Sequence, residues 1–136
     1  MKKIFVVDDE KIIRLLVKEI LAKGGYQAEA FESAQEVMDR LATDLPDLLI
    51  TDIFMPDKSG LEMILELRKT YTDLKIIAIS GDASPGSEGA SKDSLDVAEA
   101  LGSSHIIEKP FTAAQVLEAV RTILEPGAVN AGIQNA

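Results

Sequence analysis

The chain has 136 residues, 46% of them hydrophobic and 27% charged, a balance typical of one globular domain with its own core and not of a disordered or fibrous chain. Fourteen Lys and Arg against 23 Asp and Glu give a formal net charge of −9, which disfavours direct contact with nucleic acid or an anionic membrane. The chain has no Cys, which excludes disulfides, thiolate nucleophiles and Cys-ligated metal sites.

Short apolar segments bounded by polar residues predict five β-strands. Three of these segments are almost entirely apolar and predict buried strands, at residues 3–7, 47–51 and 75–79. Two weaker segments, 27–31 and 105–108, predict strands at the outside of a sheet. No apolar run is long enough for a membrane span or a secretion signal, so we expect a cytoplasmic protein.

Apolar residues at helical spacing between these segments predict amphipathic helices. Three helix starts carry a hydroxyl followed three residues later by Glu or Gln, a pattern that satisfies free backbone N–H groups: Ser33 with Glu36, Ser59 with Glu62, and Thr112 with Gln115. Gly24 and Gly25 predict the end of the first helix. Regular alternation of strand and helix predicts the α/β class, with a doubly wound parallel sheet and helices on both faces.

Two segments lack this periodicity. Residues 81–94 are rich in Gly and Ser and predict a long loop after the fourth strand. The second residue of the segment 125–136 is Pro126, which stops a helix, and the segment predicts a disordered tail.

Chemically reactive side chains follow the strands at their carboxyl ends. Asp8 and Asp9 follow the first strand, and Asp52, Ser80 and Lys109 follow the third, fourth and fifth. Each has an ordinary explanation alone; Asp9, for instance, could cap the first helix. Parallel strands, however, bring all five side chains to one edge of the sheet, where doubly wound proteins bind ligands.

A bound cation explains this cluster of acids. Two carboxylates about 4 Å apart repel by about 4 kcal/mol at an effective dielectric constant of about 20, so three together favour a divalent metal. Oxygen donors without His or Cys favour Mg²⁺. A carboxylate beside Mg²⁺ and the Lys109 ammonium is equipped to attack a phosphoryl group, and the Ser80 hydroxyl could donate a hydrogen bond to it.

Four motifs in the same order resemble the receiver domain of two-component response regulators: residues 6–10 (VVDDE), 52–60 (DIFMPDKSG), 79–81 (ISG) and 109–111 (KPF). The resemblance extends over residues 2–124, so a receiver domain is expected at 1–124 and a tail at 125–136. It implies a flavodoxin-like (βα)5 fold with five parallel strands in the order 2-1-3-4-5. It also implies a cis peptide bond between Lys109 and Pro110.

The resemblance assigns a role to each residue of the cluster. Asp52 would be the phosphoacceptor, and Ser80 and Lys109 would contact the phosphoryl group. The Mg²⁺ ligands, direct or through water, would be Asp9, Asp52, the Phe54 carbonyl and Asp8.

Two departures from the family pattern concern the response to phosphorylation. The switch pair would be Ser80 and Ile106, and Ile106 replaces a residue that is often aromatic in the family, so a different readout is expected. Residues 81–94 form a longer connection than usual, so the next helix is expected to start near Asp93, and loop flexibility could itself be the switch.

These observations predict a signalling switch and not an enzyme, apart from self-catalysed phosphoryl transfer and hydrolysis. The phosphoryl donor would be a phosphohistidine on a sensor histidine kinase or a histidine phosphotransfer protein. No output domain is expected after the last predicted helix. The signal is therefore expected to pass to a downstream protein target, over the face of the fourth helix, fifth strand and last helix, or onward as a phosphoryl group in a relay. A monomer or weak dimer is expected, with no direct nucleic-acid or membrane contact.

Two other activities are compatible with this fold class. A phosphatase or phosphotransferase with an aspartyl nucleophile needs a second Asp two residues later as general acid, where this chain has Phe54. A flavin-binding electron carrier needs a first loop rich in Ser, Thr and Gly, where this chain has Asp8, Asp9 and Glu10.

Overall fold

The computed structural model describes residues 1–53, 60–80 and 105–125, and strands and helices alternate in it from residue 3 to residue 80. The elements in chain order are β1 Lys3–Val7, α1 Lys11–Lys23, β2 Gln27–Phe31, α2 Ala34–Leu41, β3 Leu48–Asp52, α3 Gly60–Thr70, β4 Ile76–Ser80, β5 Ile106–Glu108 and α4 Ala113–Leu124. The predicted loop at 81–94, the helix start near Asp93, the Ser59 cap and residues 126–136 of the predicted tail lie outside the described residues.

The five strands form one parallel sheet in the order β2-β1-β3-β4-β5. The α/β class, the flavodoxin-like strand order and the outer positions of β2 and β5 are therefore confirmed. Strands β3 and β4 each end one residue later than predicted, because Asp52 pairs with Ile79 and Ser80 pairs with Glu108 in the backbone ladder. Ladder hydrogen bonds use the backbone alone, so a strand can extend beyond its apolar run.

Side chains on the two faces of the sheet pack into two separate apolar layers. In β1, Phe5 and Val7 point into the layer that contains Val37 of α2 and Ile64 of α3. Alternate residues of β1 point to the other face and pack against α1 and α4. The apolar segments of the three central strands, β1, β3 and β4, are buried on both faces, which explains why they show no alternation.

Side-chain caps and a glycine fix the ends of three helices. The Thr112 hydroxyl accepts from the Gln115 N–H at 3.1 Å, and the Gln115 side chain accepts from the Thr112 N–H at 2.8 Å. The Ser33 hydroxyl likewise accepts from the Glu36 N–H at 3.2 Å. Helix α1 ends at Gly24, followed by Gly25 with φ of 91°, so the three predicted ends in the described residues are confirmed.

Within the described ranges, no helix has the length and apolar character needed to cross a membrane.

Candidate functional site

Three carboxylates converge at the carboxyl edge of the sheet, as the sequence predicts. Asp8 and Asp9 follow β1, and Asp52 is the last residue of β3. One ligand oxygen from each lies within 4.8 Å of the others. Asp8 is 0% exposed and Asp52 is 2% exposed, whereas Asp9 is open to solvent. Two buried acids and one exposed acid thus surround a position that a small ion could reach from outside.

Lys109 brings a positive charge to this cluster. It follows β5, and its Nζ lies 3.3 Å from Oδ2 of Asp8 and 3.3 Å from Oδ2 of Asp52. The same Nζ lies 3.5 Å from Oε1 of Glu10. The peptide bond between Lys109 and Pro110 is cis, as the resemblance implies. One ammonium is therefore shared among several carboxylates.

Burial and charge shift the acid–base properties of the site in a consistent way. Burial raises the pKa of Asp8 above its ordinary value, although hydrogen bonds from the Glu10 N–H and from Lys109 act in the opposite direction. Burial also acts to lower the pKa of Lys109, but the attraction of Asp52 and Asp8 outweighs it and the pKa is raised. The lysine is held in its charged form, while the Asp8 anion gains from any further positive charge.

The turn between β1 and α1 aims two of the acids. Oδ1 of Asp8 accepts from the Glu10 N–H at 2.8 Å. Glu10, not Asp9, occupies the N-cap of α1, so the alternative that Asp9 caps this helix is wrong. The guanidinium of Arg14 donates to the Asp8 carbonyl at 2.8 Å and lies 3.8 Å from the Glu32 carboxylate. Sequence analysis missed Arg14, because its position on an amphipathic helix does not distinguish it from a solvated base.

Helix α3 starts in direct contact with the end of β3. The Gly60 N–H donates to the Ile53 carbonyl at 2.8 Å. A Cβ on residue 60 would lie 2.1 Å from the Asp52 carbonyl oxygen and 2.9 Å from the Ile53 Cα. Only glycine allows this approach, so Gly60 supports the backbone of Asp52 although it carries no reactive group.

The other residues predicted for the site are Ser80, Phe54 and Ile106. Ser80 ends β4, but its hydroxyl falls outside the described atoms, as does the whole of Phe54. Ile106 begins β5, is partly buried and packs against the apolar layer that contains Ala78. The structure therefore brings Asp8, Asp9, Asp52 and Lys109 together; the roles given to Ser80, Phe54 and Ile106 stay predictions.

The donor set of the cluster fits Mg²⁺. Its described side-chain donors are carboxylate oxygens, with no His or Cys among the described residues of the group. Hard oxygen donors in a small number, one of them on the solvent-exposed Asp9, suit Mg²⁺ better than Zn²⁺ or Ca²⁺.

Comparison with known protein families matches residues 4–121 to the response regulator receiver domain. Among curated proteins, the response regulator MprA of Mycolicibacterium vanbaalenii is 31% identical over 122 residues, which cover 90% of this chain and 50% of that protein. The chain thus spans about half the length of the curated relatives it matches.

Two solved structures that align with 90% or more of this chain extend the comparison to the fold. The receiver domain of NtrX from Brucella abortus has a TM-score of 0.80 and 29% identity, over 90% of this chain and 98% of that chain. A CheY-like response regulator receiver domain protein from Methanospirillum hungatei has a TM-score of 0.80 and 27% identity, over 96% and 98% of the two chains.

Proposed function

Because the chain belongs to the receiver domain family of two-component response regulators, we propose that it is a phosphorylation-dependent signalling switch with Asp52 as phosphoacceptor. The observation that carries this proposal is the convergence of Asp8, Asp9 and Asp52 on one edge together with Lys109. The donor is a phosphohistidine on a sensor histidine kinase or a histidine phosphotransfer protein. The switch comprises residues 1–124, with 125–136 as a tail, and it acts in the cytoplasm.

In the proposed transfer, a carboxylate oxygen of Asp52 attacks the phosphorus of the phosphohistidine. The new O–P bond forms as the P–N bond breaks, and the imidazole keeps the electron pair and takes a proton from solvent. The product is an acyl phosphate on Asp52 and a neutral histidine on the partner. Lys109 already lies 3.3 Å from Asp52 and stays protonated, so its ammonium can neutralise the phosphoryl oxygens during transfer.

Asp8, Asp9 and Asp52 would hold Mg²⁺, with the Phe54 carbonyl as a further ligand by family resemblance. When bound, the ion supplies positive charge against the phosphoryl oxygens. The buried carboxyl group of Asp8 favours the same arrangement, because burial penalises its anion and a nearby cation relieves that penalty.

Phosphorylation would redistribute the contacts of Lys109. The ammonium is now shared by Asp8, Asp52 and Glu10, and a phosphoryl group on Asp52 would offer it stronger acceptors. We propose that this change, together with Ser80 and Ile106, alters the surface that a downstream protein contacts. The protein is a monomer or weak dimer in this role, and its net charge of −9 argues against direct nucleic-acid binding.

Treatment with acetyl phosphate and Mg²⁺, followed by intact-mass measurement, tests the phosphoacceptor. The wild type should gain one phosphoryl group that hydroxylamine removes, and Asp52→Asn should gain none. The matched control is Asp47→Asn, because Asp47 lies at the opposite edge, where its carboxylate accepts from the Lys3 N–H at 2.8 Å. Equal phosphorylation of the Asp52→Asn and Asp47→Asn variants would reject Asp52 as the acceptor.

A further inference from the structure

The turn that carries Asp8 and Asp9 is not held by the usual helix cap. Glu10 occupies the N-cap of α1 but makes no side-chain capping bond. The first turn of α1 also contains no acidic residue that could complement the helix dipole. Other groups must therefore fix the conformation of the backbone at Asp9.

Arg14 supplies one of these fixed points. One guanidinium nitrogen, NH1, donates to the carbonyl oxygen of Asp8 at 2.8 Å, and the other, NH2, lies 3.8 Å from Oε2 of Glu32, the residue after β2. The Arg14 side chain is 16% exposed and Glu32 is 67% exposed, so water competes less for the bond to the Asp8 carbonyl than for the contact with Glu32. The guanidinium group of an arginine is planar, and its two outer nitrogens form a fork that can contact two acceptors in a fixed geometry. The ammonium group of a lysine cannot do this.

This contact bears directly on where Asp9 points. The Asp8 carbonyl belongs to the peptide group that joins Asp8 to Asp9, so holding its oxygen fixes the plane of that group and the direction of the next Cα. The carboxylate of Asp9 makes no hydrogen bond or ion pair with any other residue that the structure describes. Its aim towards the cluster consequently depends on its backbone.

We propose that Arg14 is a positioning residue of the Mg²⁺ site, whose fork between the Asp8 carbonyl and Glu32 orients the Asp9 carboxylate. The inference rests on the proposed function, since it takes Asp9 as a Mg²⁺ ligand. Arg14 itself touches neither the ion nor the phosphoryl group. Residues that orient metal ligands from outside affect metal affinity about 10- to 100-fold when they are replaced.

Calorimetric titration of the metal-free protein with Mg²⁺ tests this role. Arg14→Gln should weaken Mg²⁺ binding about tenfold. Arg14→Lys keeps the charge but not the fork and should recover only part of that loss, and Glu32→Gln should show a smaller loss. The phosphorylation rate of these variants should return towards the wild-type rate when Mg²⁺ is saturating, because the damage is to binding.

Arg68→Gln is the matched control. Arg68 also donates to backbone carbonyls, those of Leu74 at 2.5 Å, Thr72 at 3.2 Å and Tyr71 at 3.4 Å, but at the other edge of the sheet. This variant should lower the free energy of unfolding and leave the Mg²⁺ affinity unchanged. If both arginine variants lose Mg²⁺ affinity in proportion to their loss of stability, Arg14 acts through general stability and the proposal is wrong.

Asp9→Asn separates failure of this inference from failure of the proposed function. If Asp9→Asn loses Mg²⁺ binding and Arg14→Gln and Arg14→Lys both bind like the wild type, Arg14 has no positioning role although the metal site stands. If Asp9→Asn itself binds Mg²⁺ like the wild type, the metal site is misassigned and the role of Arg14 is rejected with it. Should Arg14→Gln fail to fold, Arg14→Lys and Glu32→Gln carry the same test.

Discussion

The two edges of the parallel sheet use the same kinds of charged residue to different ends. At the amino edge, the Lys3 ammonium lies 2.7 Å and 2.9 Å from the two carboxylate oxygens of Asp44, and its backbone N–H donates to Asp47. The Arg68 guanidinium there donates to backbone carbonyls before β4. The charges of Lys3, Asp44 and Arg68 at this edge are each matched by a group of opposite sign or by backbone dipoles.

At the carboxyl edge the charges do not balance. Lys109 is shared by Asp8, Asp52 and Glu10, and Asp9 lies in the same group of acids. The paired charges at the amino edge help to hold the strands in place, whereas the excess of carboxylates at the carboxyl edge should cost stability and, under the proposed function, favour a bound cation. The two edges therefore differ in local charge balance, and replacement of one Asp by Asn should change stability in opposite directions at the two edges.

Removal of the Lys109 charge should have the largest effect. Lys109→Met would remove the ammonium that contacts the buried carboxylates of Asp8 and Asp52, at a cost of about 3 kcal/mol in the free energy of unfolding. Added Mg²⁺ should restore part of this loss, because it supplies positive charge at the same place. Urea unfolding with and without Mg²⁺ measures both effects; an unchanged midpoint in the metal-free variant would contradict the contrast between the edges.

Mg²⁺ itself should stabilise the wild type through the carboxyl edge alone. At a free concentration 100 times its dissociation constant, a ligand specific for the folded state adds about 2.7 kcal/mol. Thermal unfolding should show this increase in the wild type and in Asp44→Asn but not in Asp9→Asn. A similar increase in Asp9→Asn would mean that the ion binds elsewhere.

The same substitution should change stability in opposite directions at the two edges. In metal-free protein, Asp44→Asn removes the charge that pairs with Lys3 and should cost about 1 kcal/mol. Asp9→Asn relieves repulsion among the acids and should stabilise the fold by about the same amount or less. Chemical denaturation of the two variants in parallel at low salt provides the measurement, and two shifts of the same sign would refute the comparison.

Tyr26 offers the smallest effect and a test by pH at the amino edge. Its hydroxyl donates to Oε2 of Glu125 at 2.5 Å, and burial, followed by this bond and the Glu125 charge, raises the pKa of Tyr26 to about 12. Because Glu125 is exposed, Tyr26→Phe should cost only about 0.5 to 1 kcal/mol at pH 8.

The sign of the pH dependence follows from the raised pKa. The folded protein holds the Tyr26 proton more tightly than the unfolded chain, so the stabilisation is complete below the unfolded pKa of about 10 and is lost as the pH rises to about 12. The difference in unfolding midpoint between the wild type and Tyr26→Phe should therefore shrink over this range. A difference that stays constant between pH 8 and pH 12 would show that the pKa of Tyr26 is not raised in the folded protein.

The strands and the acid cluster could be predicted from the sequence, because both depend on patterns along the chain. Apolar runs marked the strands, and parallel pairing carries the residues that follow them, such as Asp8, Asp52 and Lys109, to one edge. The sequence did not mark the charged contacts of Asp44 and Asp47. Both residues precede a strand and therefore lie at the edge of the sheet where ligands are not expected.

Arg14, and the structural role of Gly60 within the 52–60 motif, show what sequence patterns could not provide. The role of Arg14 depends on the rotation of α1 against the turn after β1, which places its guanidinium near a backbone carbonyl six residues earlier in sequence. The role of Gly60 depends on the separation of two backbones, which sequence spacing does not encode. A contact with a backbone atom does not depend on the side chain of the residue that is contacted. The amino-acid type of that residue therefore does not reveal the contact.

The tight start of α3 has a consequence for how variants of this chain should be read. A side chain at position 60 would collide with the Asp52 carbonyl whatever residue occupied position 52, because the obstacle is main chain. A descendant that lost the Asp52 carboxylate but kept this helix start would still need glycine there. Glycine at position 60 is therefore a marker of inherited architecture, and intact chemistry has to be judged from Asp52 and Lys109 themselves.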